Sequence, residues 1–280
     1  MSTLTATVEP RPEPSAPSGP RYRVTGRRVL RSEWAKLWSL RSTWITLTLG
    51  LSFLLAFGLI AAWQFESGGL NDLDDDFEGA TAVDLALFGV PFAQLALGVL
   101  GVLVTAGEYS TGMIRSTLVA VPRRLPVLWS KAALYGLVGL LVGTVGAFVA
   151  FLVGGGILSG TSVAQSLSDA GVARSLLGAG LYLGLIGVIS TGLGALLRSV
   201  AGGISVLVGV LILAPGLVQL LPGSWRDNIS PYLPSTAGES MFALTHDAST
   251  LSPGAGLAVF LAWTVLVLAG AAYRLVRSDA

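Results

Sequence analysis

The chain contains no cysteine, which excludes disulfides, thiol catalysis and Cys-ligated metal centres. It has one histidine, His246, so a bis-histidine haem site is excluded as well. Charge is scarce: 12% of residues are Asp, Glu, Lys or Arg, roughly half the share in a soluble domain. Neither lysine, Lys36 nor Lys131, follows a glycine, so the chain has no GxxxxGK[ST] phosphate loop and does not hydrolyse ATP by that route. No Ser/His/Asp or metal-ligating constellation is visible, which argues against an enzyme. The first twenty residues lack an apolar signal-peptide core and carry Pro10, Pro12, Pro14, Pro17 and Pro20. Residues 1–26 therefore read as a disordered tail. No cofactor and no nucleic-acid partner are expected.

What the chain has instead is apolar length. It is 52% hydrophobic, with 36 glycines and no collagen-like period. Six stretches reach the roughly 20 residues that a helix needs to cross ~30 Å of hydrocarbon. They are residues 45–63, 85–106, 132–158, 176–197, 200–221 and 254–273. None contains Lys, Arg, Asp or Glu, which leaves tyrosines such as Tyr182 as their ionisable groups. A proton-coupled carrier needs a buried acidic or histidine relay. The expected fold is all-α: a polytopic bundle of six transmembrane helices over residues 27–280. The third stretch exceeds the required length, so it tilts, kinks or projects, and Gly154, Gly155 and Gly156 offer an early stop.

Basic residues sort to one side. Fifteen of the 17 Lys and Arg residues fall in the N-terminal segment, the loops after spans two and four, and the C-terminus; the opposite loops hold only Arg174 and Arg226. The positive-inside rule puts both termini in the cytoplasm. The loop after span one is the mirror image, with Glu66, Asp72, Asp74, Asp75, Asp76, Glu78 and Asp84. It lacks the spacing of a calcium loop and reads as a solvated outer loop. Trp44, Trp63, Trp129 and Trp225 fall at span ends, as expected for interfacial indoles; only Trp263 is mid-span.

Before span one, Leu30, Trp34, Leu37 and Trp38 repeat with helical spacing, while Arg27, Arg28, Arg31 and Lys36 lie mostly off that stripe. This predicts an amphipathic helix lying in the membrane interface, with Ser42 and Thr43 available to cap the span that follows. Gly139 and Gly143 in span three, and Gly180, Gly184 and Gly187 in span four, form small-residue stripes for close helix packing. Gln94 and Gln219 are the main polar side chains in spans. They serve either as interhelical hydrogen-bond partners or as the lining of a translocation path. Pro215 is expected to kink span five.

Between spans two and three, residues 107–126 are first polar and then mildly amphipathic. Met113, Ile114, Leu118 and Val121 share a stripe, and Pro122 and Pro126 punctuate its end. Periodicity leaves two readings: a helix presented for docking, or a plain connector.

The string GEYSTGMIRSTLVAVPRRLPVLWSK at 107–131 resembles the loop of ABC-2 type permeases, the membrane subunits of ATP-driven exporters, especially the compact six-span actinobacterial versions. RSEWAKLWSLRSTW at 31–44 and PYLPSTAGESMF at 231–242 resemble the same pattern, in the same order. The resemblance implies a connecting helix over about 27–41 and short re-entrant or surface helices within 222–253. It also implies a coupling helix over 108–117 that touches the ATPase. Glu108, Tyr109, Ser110, Thr111, Gly112, Met113, Arg115, Ser116 and Thr117 would form that contact. Glu108 would sit at its start, where a carboxylate favours the helix dipole, and Gly112 would permit close backbone approach. The implied setting is a bacterial cytoplasmic membrane. The implied partners are a cytoplasmic ABC ATPase dimer, a second permease copy and membrane lipids, with an amphipathic or lipid-like substrate. The alternatives are a non-transporting scaffold or immunity protein, or an ATP-independent carrier.

Overall fold

A computed structural model describes residues 25–68, 79–120, 124–245 and 250–277. The tail up to residue 24, the acidic residues Asp72 to Glu78, Pro122 and His246 lie outside the described residues. Every regular element among the described residues is helical, and six of the helices are long and apolar enough to cross a membrane. The chain is an all-α, membrane-embedded bundle.

It begins with α1 (Gly26–Ser39) and the first span α2 (Arg41–Glu66). Gly26, counted with the expected tail, already belongs to α1. Ser42 and Thr43 do not cap α2, because the helix starts before them, at Arg41 with Leu40 as its N-cap. The second span combines α3 (Ala82–Leu87) with α4 (Val90–Ser110). A capping box between Thr81 and Asp84 starts α3. Pro91, which has no N–H to donate, stands at the restart of α4. After α5 (Met113–Ala120), the third span α6 (Leu125–Ile157) has 33 residues. At 1.5 Å per residue it is about 50 Å long and outruns the hydrocarbon layer. The three glycines do not stop it early: Gly154 packs beside Ala62, and Gly155 and Gly156 stay helical.

The fourth span, α7 (Val172–Leu197), is the most buried of the six and packs on α6, α4 and α12. The glycine stripes explain the closeness of α6 to α7. A Cβ on Gly139 would lie 2.8 Å from Leu183 O, and one on Gly184 would lie 2.9 Å from Gly136 O. Only hydrogen fits along this seam.

Span five consists of α8 (Val200–Val208), a π-helical turn (Gly209–Leu213) and α9 (Ala214–Gln219). Pro215 cannot donate to the carbonyl four residues back, and the wider π turn just before it absorbs that misfit. The outer segment contains α10 (Gly223–Ile229) and α11 (Pro234–Glu239), followed by the sixth span α12 (Pro253–Arg277). α11 is inserted rather than surface-bound: Pro234, Ser235, Ala237 and Gly238 are buried, and Gly238 lies against the Tyr182 ring.

The Trp residues at span ends are exposed on the bundle surface, from Trp129 at 49% to Trp225 at 65%. Mid-span Trp263 donates its indole N–H to Tyr232 O at 3.0 Å.

Candidate functional site

Among the described residues, the buried charged side chains gather where α1, the end of α4, α5 and the start of α6 meet. Glu33 of α1 faces inward with Val29 and Leu37, at positions i, i+4 and i+8. Its Oε2 accepts from Lys131 Nζ of α6 at 2.5 Å, and its Oε1 from Lys36 Nζ at 2.8 Å. Glu108 Oε1 accepts from both lysines, each at 3.0 Å. Glu33, Glu108 and Lys131 are all buried, while Lys36 is 26% exposed. Two lysines and two glutamates therefore form a closed, neutral ring of charge. A buried carboxylate is tolerated only in such company.

This electrostatic balance is visible in the outer members. Burial pushes the Glu33 carboxyl up, but Lys131 and Lys36 outweigh it and hold the group below its ordinary value of 4.5. Burial pushes Lys36 down, but Glu33 and Glu108 outweigh it and raise the group above 10.5. Lys36 also donates to Thr117 Oγ1 at 3.3 Å, which ties α5 to the ring.

Arginines close the same end of the bundle. Arg198 ends α7 in a left-handed conformation (φ 54°) and stacks 5.0 Å over the Tyr109 ring. Its guanidinium also reaches Arg274 O, while Arg274 donates to Leu196 O and Arg124 to Leu275 O. These bonds satisfy carbonyls at the C-termini of α7 and α12, which have no partner within the helix.

The expected helix over 108–117 is divided in two. Glu108, Tyr109 and Ser110 belong to the last turn of α4, and Thr111 and Gly112 form the turn before α5. Glu108 does not begin a helix or face outward. It is 4% exposed, because its two lysine partners hold it inside the protein. Gly112 has φ +73° and open space around it, so it supplies a left-handed turn rather than a close approach. Ser110 and Thr111 hydroxyls both return to Gly107 O.

α5 has two sides. Ile114 is buried and Thr117 half-buried, while Met113, Ser116 and Val119 face away, Val119 being 82% exposed. Arg115 lies within α5; its side chain is outside the described residues. An apolar and hydroxyl-bearing surface of this kind suits docking better than catalysis. Among the described residues there is no group of three or more His, Asp or Glu that could hold a metal.

Gln94 and Gln219 are not brought together. Gln94 is buried in α4 and accepts from the Tyr182 hydroxyl of α7; Gln219 is exposed at the end of α9. Gln94 thus makes an interhelical bond. An apolar cleft of about 140 Å³ does occur elsewhere, between α7, α8, α11 and α12, lined by Leu193, Leu207, Leu211, Pro234, Trp263 and Val267 among others. Its lining suits hydrocarbon.

The sequence reading missed Glu33, Lys36 and Lys131 as a unit. A signal was present: the chain has only two lysines, and Glu33 is the lone acid in a basic helix, on the Val29–Leu37 stripe.

Comparison with protein-family models and with curated proteins gives no match.

Proposed function

We propose that this chain is the membrane subunit of an ATP-driven exporter of the ABC-2 type, working with a separate cytoplasmic ATPase dimer and a second permease copy. The observation that carries this reading is α5. It is a short helix at the basic end of the bundle, in contact with α4 and bonded through Thr117 to Lys36 of α1, with Met113, Ser116 and Val119 turned away from the protein. The three sequence segments that resemble such permeases support it. In this reading, the basic end faces the cytoplasm of a bacterial inner membrane. ATP binding closes the ATPases, and α5 passes that movement to α4, α6 and α1. Each conformation must gain its own contacts for this to move an equilibrium. The apolar cleft, with no charged residue in its lining, favours an amphipathic or lipid-like substrate.

The test is affinity purification from gently solubilised native membranes, with mass spectrometry of what comes with the chain. An ATPase carrying a phosphate loop is expected, and Val119→Glu or Met113→Glu should remove it while the membrane protein itself is recovered. Recovery without any ATPase, even after cross-linking, would favour the scaffold or carrier readings.

A further inference from the structure

The four charges of the buried ring have a consequence for the outside of α1. The ring takes in Glu33, the only acid of the helix, together with Lys36. The exposed face carries Arg27 and Arg31, followed by Arg41 at the start of α2. Arg27, Arg31 and Trp34 recur at i, i+4 and i+7, so two guanidinium groups and an indole share one side. Leu30 (42% exposed), Trp34 (46%) and Trp44 (55%) form the apolar part of this surface. Trp34, Trp38 and Trp44 pack as a run of rings, with centroids 5.3 Å and then 4.7 Å apart. Trp44 also donates to Trp38 O at 3.3 Å. This aromatic joint fixes α1 against the first span, so its arginines are held at one depth. The first turn of α1 contains no acid, so the positive end of the helix dipole adds to Arg27 and Arg28.

Several other arginines at this end are engaged elsewhere. Arg124, Arg198 and Arg274 bond to backbone carbonyls, and Arg277 lies over the Tyr273 ring at 4.8 Å. Among the described residues, Arg27, Arg31 and Arg41 thus stand as exposed cations on α1 and the start of α2, next to rings suited to the headgroup region.

We infer that the outer face of α1 is a recognition surface for anionic phospholipid, with Arg27, Arg31 and Arg41 binding the phosphodiester headgroups and Trp34 and Trp44 resting at the acyl boundary. This holds whether or not the chain works with an ATPase.

The test uses the full chain in vesicles of phosphatidylcholine with a minor fraction of brominated phosphatidylglycerol, or of brominated phosphatidylcholine for comparison. The quenching that disappears in a Trp34→Phe/Trp44→Phe variant reports the lipid beside α1. A single arginine near an anionic surface is worth roughly fivefold in affinity. Phosphatidylglycerol should therefore be preferred by on the order of tenfold or more. In an Arg27→Gln/Arg31→Gln/Arg41→Gln variant that preference should fall at least about fivefold. If this variant fails to insert, salt decides on the unaltered chain: at about 1 M, where the Debye length is ~3 Å, the preference should collapse. Equal quenching by the two lipids would overturn the assignment and leave the arginines to an acidic soluble partner. A preference that survives the triple variant, or that ignores salt, would also overturn it.

Discussion

Lys131 Nζ stands 2.5 Å from Glu33 Oε2, both side chains almost wholly buried, although 98 positions separate them in the chain. This pair joins the interfacial helix to the start of the third span. Removing one member of a buried pair costs about 3–5 kcal/mol, because the other charge is left without a partner. Lys131→Met should lower stability by about that amount in an unfolding titration in mixed micelles. Lys36 is partly solvated, so Lys36→Met should cost less. A Glu33→Leu/Lys131→Met double variant keeps the Lys36–Glu108 pair and should recover most of the loss, which a double-mutant cycle reads directly.

The same ring sets a pH window. Folded Glu33 stays charged to lower pH than the unfolded group, so its stabilisation is complete above 4.5 and is lost as pH falls through its lowered folded value. Lys36 behaves in the opposite sense: its stabilisation is complete below 10.5 and is lost as pH rises through its raised folded value. Thermal unfolding across pH should therefore show no contribution from the titration of Glu33 or Lys36 between these limits, with a decline at each end. Glu33→Gln should remove its share of the acid-side decline.

Tyr182 donates to Gln94 across α7 and α4, and its ring meets Phe260 edge-on at 5.2 Å. Tyr182→Phe leaves a buried amide oxygen unpaired and should cost about 1–3 kcal/mol in the same unfolding titration. Gln94→Leu added to it should restore part of the loss. If Gln94 instead lined a substrate path, its replacement would alter which substrates are moved while leaving stability unchanged.

Two glycines of α6 separate packing from helix propensity. At Gly139 a Cβ would press on Leu183 O, so Gly139→Ala should destabilise by about 1–3 kcal/mol. At Gly155 nothing lies within 4 Å, so Gly155→Ala should be neutral or stabilising by up to about 1 kcal/mol. Equal effects at both sites would contradict the close seam between α6 and α7.

The six spans were legible in the sequence because lipid imposes a minimum apolar length, and the seam because glycines three and four apart share a helix face. The orientation of α1 was not. Leu30, Trp34, Leu37 and Trp38 make the apolar stripe, yet Leu37 is buried while Leu30 and Trp34 face outward; at a membrane interface the outside is not water, so apolarity alone does not mark the buried side. Glu33 turns inward because its partners arrive from α4 and α6, distant in sequence. For the same reason the polar shift at Glu108 did not mark the end of α4. Lys36 and Lys131 neutralise Glu108 inside the bundle, and the chain turns only at Gly112, where a left-handed residue is required.

The proposed docking of an ATPase on α5 is tested most directly by a photo-reactive amino acid at position 119 in native membranes, with one at Trp225 in the outer segment as control. Docking on α5 predicts a cross-linked adduct from position 119 containing a phosphate-loop ATPase, and none from position 225. An adduct with the ATPase at 225, or its absence at 119, would contradict it.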